Sequence, residues 1–318
     1  MLNKIIEGIK ASDKIALFHH INPDGDTLSS SYGLALALRS KFPEKEIKVV
    51  ANKKDLFRRF EFIDFKEEVF IDSIDETWTT VVGDTSDIKR IDRNEEFLKG
   101  KMKICFDHHQ NDATMEYDIF WKESSWIASS LQAVEIAKAL EVEFDKDIAF
   151  HLAVGILTDS GNFAFSLGDP MPMKSYGFLL GFMEDSQIDH LFNSMRRRTK
   201  KDIDIEKFMW NNVQYKENLT YLKVTMKDLE ELGVEEKDVK MKVNRMGNIE
   251  GFDRWALFTE VLDKEGNMYI KGSTRSLGCN VSKVAMKFNG GGHVRAAGVQ
   301  AKDWNEVEEI ITALIAAE

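Results

Sequence analysis

Lys14-Ile15-Ala16-Leu17-Phe18-His19-His20-Ile21-Asn22-Pro23-Asp24-Gly25-Asp26 is a short apolar run that ends in polar residues and a Pro/Gly turn, ahead of a helical-looking stretch at 27–39. That order reads as strand, loop and helix. The punctuation recurs: strand-like runs at 46–51, 79–84 and 101–106 alternate with helix-like segments around 125–140 and 146–157. Such alternation predicts an α/β domain whose mainly parallel sheet is flanked by helices. In sheets of this kind, ligands gather outside the carboxyl ends of the strands.

Further along, 185–218 is rich in charge and helix formers and contains Arg196-Arg197-Arg198. It reads as a helical linker with a solvated basic face. Beyond it lie strand-like 219–225, 255–262 and 268–274, helix-like 281–288, the run Gly290-Gly291-Gly292 and a last helix from Trp304. These predict a smaller α+β domain. The expected division is therefore 1–184, 185–218 and 219–318. A chain of 318 residues that is 43% apolar can bury a core in each of about two domains.

The net charge of −11 opposes tight binding to long nucleic acid, which needs a basic stripe to displace counterions. It leaves room for a small nucleotide and for carboxylates gathered at a metal site. Cys105 and Cys279 stand far apart and outside any Cys-x-x-Cys pair, so neither a disulfide framework nor a thiolate zinc site is indicated. The longest uncharged run, 27–38, falls short of the roughly 20 residues that span a bilayer. Glu7, Lys10, Asp13 and Lys14 occupy the place where a secretory signal needs its apolar stretch. A cytoplasmic protein with no membrane partner is expected.

Each predicted strand end delivers groups that ligate metals. His20, Asp24 and Asp26 fall within seven residues of the first loop, although Asn-Pro-Asp-Gly is also a tight turn with Asp26 free to cap the next helix. Asp84 ends a second run, and Asp107-His108-His109 ends a third. Asp159 follows in Thr158-Asp159-Ser160-Gly161. Together they form a carboxylate-rich His/Asp set for two divalent cations, an arrangement that clamps in-line displacement at phosphorus. In the C-terminal part, three glycines let backbone N–H groups turn toward an anion beside His293, and Arg275 offers a planar fork for phosphate. His19 and His151 read as structural. Trp121, Trp126 and the phenylalanines read as packing groups.

On these motifs the sequence resembles the DHH/DHHA1 phosphoesterases, and among them the NrnA-type oligoribonucleases (nanoRNases) that also hydrolyse 3′-phosphoadenosine 5′-phosphate (pAp). His20-x-x-Pro23-Asp24-x-Asp26, Asp84, Asp107-His108-His109 and Asp159 match the DHH domain in order, and Arg275 with Gly290-Gly291-Gly292-His293 matches the DHHA1 domain. The resemblance implies a pair of Mn²⁺ ions. One is held by His20, Asp24 and Asp84, the other by Asp26, Asp84, His108 and Asp159, with Asp84 bridging. It further implies that Asp107 orients an imidazole and that His109 faces the scissile phosphate. Arg275, Gly290, Gly291, Gly292 and His293 would hold substrate from the second domain. Asp112 stands where the family often has Asn, and Ser129-Ser130 where many members have Ser-Thr, which bears on substrate preference.

The implied substrates are short RNA oligonucleotides and pAp. Alternatives are a soluble phosphodiesterase for pApA or cyclic-di-AMP and, from another class, a non-catalytic nucleotide sensor, against which the intact ligand set argues. Manganese-dependent pyrophosphatases share the first-domain motifs but typically lack the Gly-Gly-Gly-His run. A homodimer is an assembly that the sequence leaves open.

Overall fold

A computed structural model describes residues 1–165 and 168–318, with backbone alone at Asp55, Arg58, Arg59 and His293. The chain divides into two compact units, Met1–Arg196 and Arg197–Glu318. The stretch read as a linker contributes to both. Its helix Asp185–Arg196 buries Leu191 in the first unit's core, and its helix Lys200–Asn212 buries Ile205 and Met209 in the second's. Residues 214–216, which lack an apolar pattern, form an exposed edge strand paired with the strand at 219–224, with Tyr215 against the Phe252 ring at 5.2 Å.

The first unit is an α/β fold on six parallel strands: Lys14–Phe18 (β1), Glu46–Val50 (β2), Phe70–Ile71 (β3), Thr79–Gly83 (β4), Met102–Asp107 (β5) and Ile119–Lys122 (β6). They lie in the order β3-β2-β1-β4-β5-β6. Alternate residues serve opposite faces. Ile15, Leu17, Val49, Val81, Ile104 and Phe106 join the larger core, while Ala16, Phe18, Val50, Val82 and Cys105 join a smaller one with Trp78 and Phe97. A sheet buried on both faces explains why its strands read as continuous apolar runs. Trp121 and Trp126 pack edge to face at 5.5 Å, as packing groups.

The second unit is a mixed sheet: Gln214–Lys216 (β7), Leu219–Val224 (β8), Arg254–Leu262 (β9), Met268–Ser276 (β10), Gly291–His293 (β11) and Ala296–Ala301 (β12). The order is β11-β12-β10-β9-β8-β7, with β8 and β9 parallel and the other pairs antiparallel. The helix Trp304–Ile315 covers one face through Val307, Ile310, Ile311 and Leu314. No helix among the described residues is long and apolar enough to cross a membrane. Both cysteines are buried and free.

His151, within the helix Lys146–Asp159, is packed against the Tyr32 ring at 4.9 Å, and its Nδ1 is 2.7 Å from the Asp147 carbonyl. Burial pushes its imidazole down to about 4, helped by the charge of Lys66 and opposed by the Asp147 carbonyl and the charges of Asp147 and Asp145. The unfolded imidazole takes its proton near pH 6.5. Unfolding therefore takes up a proton between those values, and this contribution to stability is complete above about pH 6.5 and lost as pH falls toward 4. Denaturant unfolding of the protein and of His151→Phe at pH 7 and pH 5 will show the variant gaining about 2 kcal/mol relative to the parent on acidification. A pH-independent difference between the two would refute the assignment.

Candidate metal centre

β1 leads to β2 on one side of the sheet, whereas its other neighbour, β4, leads away to β5. The crevice beyond the carboxyl ends of β1 and β4 is thus the switch point of the sheet, the general ligand position in open α/β folds. His20 follows β1 and Asp84 follows β4. Asp107 is the last residue of β5, so His108 and His109 emerge at the same edge. The chain after β1 is latched: Ile21 N–H donates to the Arg90 carbonyl at 2.7 Å, and Asp92 N–H to that of His19 at 2.8 Å.

Asp84 is buried and holds φ at 68°, a left-handed value uncommon outside glycine. Its Oδ2 lies 3.3 Å from Nε2 of His20, and its Oδ1 lies 3.3 Å from Nε2 of His108. One carboxylate therefore faces two imidazoles, one oxygen to each. Asp24 Oδ2 is 3.6 Å from Nε2 of His20, while its Oδ1 accepts from Thr27 N–H at 3.1 Å. The helix cap is thus Asp24, not Asp26. Asp26 points instead at the start of the helix Ser129–Ala139, where its two oxygens accept from the N–H groups of Ser129 and Ser130 at 2.6 and 2.7 Å. An anion at a helix N-terminus is stabilised by unpaired amides and by the helix dipole.

The imidazoles are oriented by the groups behind them. Nδ1 of His20 is 2.9 Å from the Ile21 carbonyl, and Nδ1 of His108 is 3.2 Å from that of Trp126. A carbonyl only accepts, so the proton sits on Nδ1 and the lone pair of each neutral ring is on Nε2. Nε2 of His108 is buried without a hydrogen bond, although Asp84, Asp159 and Asp26 stand 3.3, 3.6 and 3.9 Å away. An orphaned nitrogen ringed by acids fits a cation between them. Two groups each gather ligand atoms within 4.8 Å of one another: His20, Asp24 and Asp84, and Asp26, His108 and Asp159. Asp84, His108 and His109 make a third.

Electrostatics describe the same need. Burial alone would lower His20, but Asp24 and Asp84 raise it to about 10, and against its own burial Asp84 and Asp159 raise His108 to about 9. Asp84 is held below the usual carboxylate range against its burial by the two imidazoles. Asp26 and Asp159 are pushed well up by burial and by the charge of Asp84. His109 differs from His108: its Nδ1 lies 2.8 Å from Asp107 Oδ1, which also accepts its N–H at 3.1 Å. Asp107 thereby fixes the His109 ring with Nε2 on its far side.

Asp159 reaches this cluster from the end of its helix because two helices approach closely. A Cβ at Gly25 would lie 2.4 Å from Thr158 Oγ1, and one at Gly155 would lie 2.7 Å from Ser29 Oγ and from Ser130 Cβ. Into that space Ser29 Oγ donates to the His151 carbonyl at 2.5 Å and accepts Gly155 N–H at 2.8 Å, bridging two groups one helical turn apart. Ser29 is three residues from Asp26, and Gly155 is four from Asp159. Each pair shares a helix face. Ser129 and Ser130 read from the sequence as bearing on substrate preference and clear of the metal-ligand candidates, whereas their amides hold Asp26; Ser29 and Gly155 carry no local signal beyond the Ser29-Ser30-Ser31 triplet in an otherwise apolar run, because all these roles depend on contacts more than 100 residues apart.

In the second unit, Arg275 and Gly290, Gly291 and Gly292 line one groove of about 470 Å³, together with Lys271 and Ser273 on the same face of β10. Arg275 Nη1 donates to the Thr274 carbonyl at 2.9 Å. The glycine run is an edge strand here, not a free loop. A Cβ at Gly290 would meet the Gly298 carbonyl oxygen at 2.0 Å, and one at Gly292 the Ala296 oxygen at 2.5 Å, so close backbone approach requires glycine. The His293 side chain lies outside the described residues.

Comparison with known proteins gives this constellation relatives. The chain is 29% identical over 308 residues to the bifunctional oligoribonuclease and PAP phosphatase NrnA of Mycoplasma pneumoniae, covering 96% of this chain and 93% of that one. It is 29% identical over 318 residues to the protein of that name from Bacillus subtilis, covering 99% and 97%. A crystal structure of an exopolyphosphatase-related protein from Bacteroides fragilis superposes with a TM-score of 0.77 at 20% identity over 99% of this chain and 95% of that chain, a likeness of fold. The family model "DHH family, N-terminal domain" matches residues 14–156, the span that carries β1 to β6, and the model "DHHA1 domain" matches 216–317. With strand order, acidic cluster and both models in agreement, the chain carries a DHH-family N-terminal domain followed by a DHHA1 domain.

Proposed function

We propose that this protein is a hydrolase of phosphoester bonds that acts on short oligoribonucleotides and on pAp with the help of two manganese ions. The observation that carries the reading is the pair of ligand groups joined at Asp84, His20 with Asp24 on one side and His108 with Asp26 and Asp159 on the other. The names of the Mycoplasma and Bacillus relatives supply the substrate class. When bound, divalent cations offset negative charge developing at phosphorus and lower the pKa of water.

The chain's own groups do the rest. Water attacks phosphorus, the bond from phosphorus to the ribose oxygen breaks, and that oxygen takes up a proton. Asp84 holds His20 and His108 on either side of itself, and the amides of Ser129 and Ser130 keep Asp26 in place. His109, fixed by Asp107 and about one-quarter exposed, faces the scissile phosphate and, as the imidazolium, donates its Nε2–H to a phosphate oxygen. Arg275, Gly290, Gly291, Gly292 and His293 belong to binding of the substrate's terminal phosphate by the second unit. No protein nucleophile is required.

Three measurements test this. Titration calorimetry with Mn²⁺ will give two sites per chain; Asp24→Ala and Asp159→Ala will each weaken one, and Asp84→Ala will weaken both by at least tenfold. A stoichiometry of one contradicts the paired assignment. Product analysis with Mn²⁺ will show release of phosphate from pAp and shortening of RNA oligomers, with at least a hundredfold loss in Asp84→Ala. Turnover of pApA alone, or of none of these substrates, would overturn the reading. Arg275→Ala will raise KM for pAp about tenfold while leaving Mn²⁺ binding untouched, consistent with loss of a charge-assisted hydrogen bond; an unchanged KM would remove Arg275 from the substrate site.

A further inference from the structure

The phenylalanines read from the sequence as packing groups, and most are. Phe165 is the exception. It is 67% exposed, the most exposed large aromatic side chain among the described residues, and it lies six positions after Asp159. The chain that carries it is tied down. Asn162 N–H donates to the Leu157 carbonyl at 2.8 Å, Phe163 N–H to Ser160 Oγ at 2.9 Å, and Phe165 N–H to the Ser160 carbonyl at 3.0 Å. Gly161, Asn162 and Phe163 hold φ at 57°, 56° and 70°, three successive left-handed residues of which two carry side chains. Backbone of this kind persists only where its surroundings over-determine it.

The strained turn brings the Phe165 ring back onto Gly161, where a Cβ would stand 2.4 Å from a ring carbon. Gly161 is two residues from Asp159, a span of at most about 7 Å. The ring is therefore carried by hydrogen-bonded backbone, lies against Gly161 with two-thirds of its surface exposed, and stands within about one nucleotide's reach of the Asp159 carboxylate. Burial in the first unit's core does not account for it.

We propose that Phe165 is the platform on which a nucleobase of the substrate stacks, which makes it a specificity-determining residue. The inference rests on the nucleotide-hydrolase reading above. Stacking on an aromatic ring tolerates any base, because every base presents a π face. It also provides attraction that does not depend on charge in a chain whose net charge is −11.

The test compares pAp with its abasic counterpart, ribose 3,5-bisphosphate, which keeps both phosphates and lacks the base. In the unsubstituted protein kcat/KM will favour pAp. Phe165→Ala will reduce that preference about tenfold, mainly through KM, a size consistent with loss of one base–aromatic stack. Phe165→Tyr and Phe165→Trp will retain the preference. Melting temperature and Mn²⁺ stoichiometry, measured on each variant, separate a lost platform from a damaged loop. A preference unchanged in Phe165→Ala, whether both substrates slow together or neither does, overturns the platform while leaving the hydrolase reading intact. Failure of the unsubstituted protein to hydrolyse pAp overturns the hydrolase reading and this inference with it.

Discussion

Four carboxylates, those of Asp24, Asp26, Asp84 and Asp159, converge around the imidazoles of His20 and His108, with Asp26 and Asp84 buried. Two like charges about 4 Å apart repel by about 4 kcal/mol at an effective dielectric near 20. Left to itself such a cluster would spread, or neutralise by taking up protons. The shifts follow from this: the imidazoles are raised against their burial because acids surround them, and Asp26 and Asp159 are raised by burial and by the charge already on Asp84. Positive charge is what the site is built to receive.

The fold supplies the counter-force through backbone. Asp26 is held by two amides at the start of a helix, and Asp84 by a left-handed turn whose N–H donates to the Phe106 carbonyl at 3.0 Å. His20 and His108 are each locked by a carbonyl behind Nδ1. None of these restraints flexes as a long side chain would, so the ligand atoms stay near one another despite their repulsion. The widened helical turn Ser29–Gly33 fits the same logic, since it starts at the serine whose hydroxyl bridges to the helix of Asp159. Turns of this kind inside a helix are frequent at functional sites.

Two kinds of glycine contact serve the two units. In the first, Gly25 and Gly155 let helices meet at distances that a methyl group would forbid, which brings Asp159 to the strand ends. In the second, Gly290 and Gly292 let β11 lie against β12, which places the run beside Arg275 in one groove. The same residue type, read from sequence as freedom to turn, acts in the structure mainly as absence of bulk.

The parallel sheet was legible in the sequence because a strand buried on both faces is largely apolar, and runs such as Ile15–Phe18 and 104–106 stand out against a charged chain. The clustering of the His and Asp candidates was legible for a related reason: each lies within a few residues of a strand or helix end, so local order alone places it at a carboxyl edge. The strands at 214–216 and in the glycine run were not legible, since neither carries an apolar alternation to mark it. Sequence by itself determined which residues bring chemistry and near which edge they stand. Tertiary structure decided that Asp26 is drawn to the amides of Ser129 and Ser130, leaving Asp24 to cap the helix after β1, and that Ser29 crosses between helices. Each of these depends on what another part of the chain presents across the gap, and no local pattern encodes that.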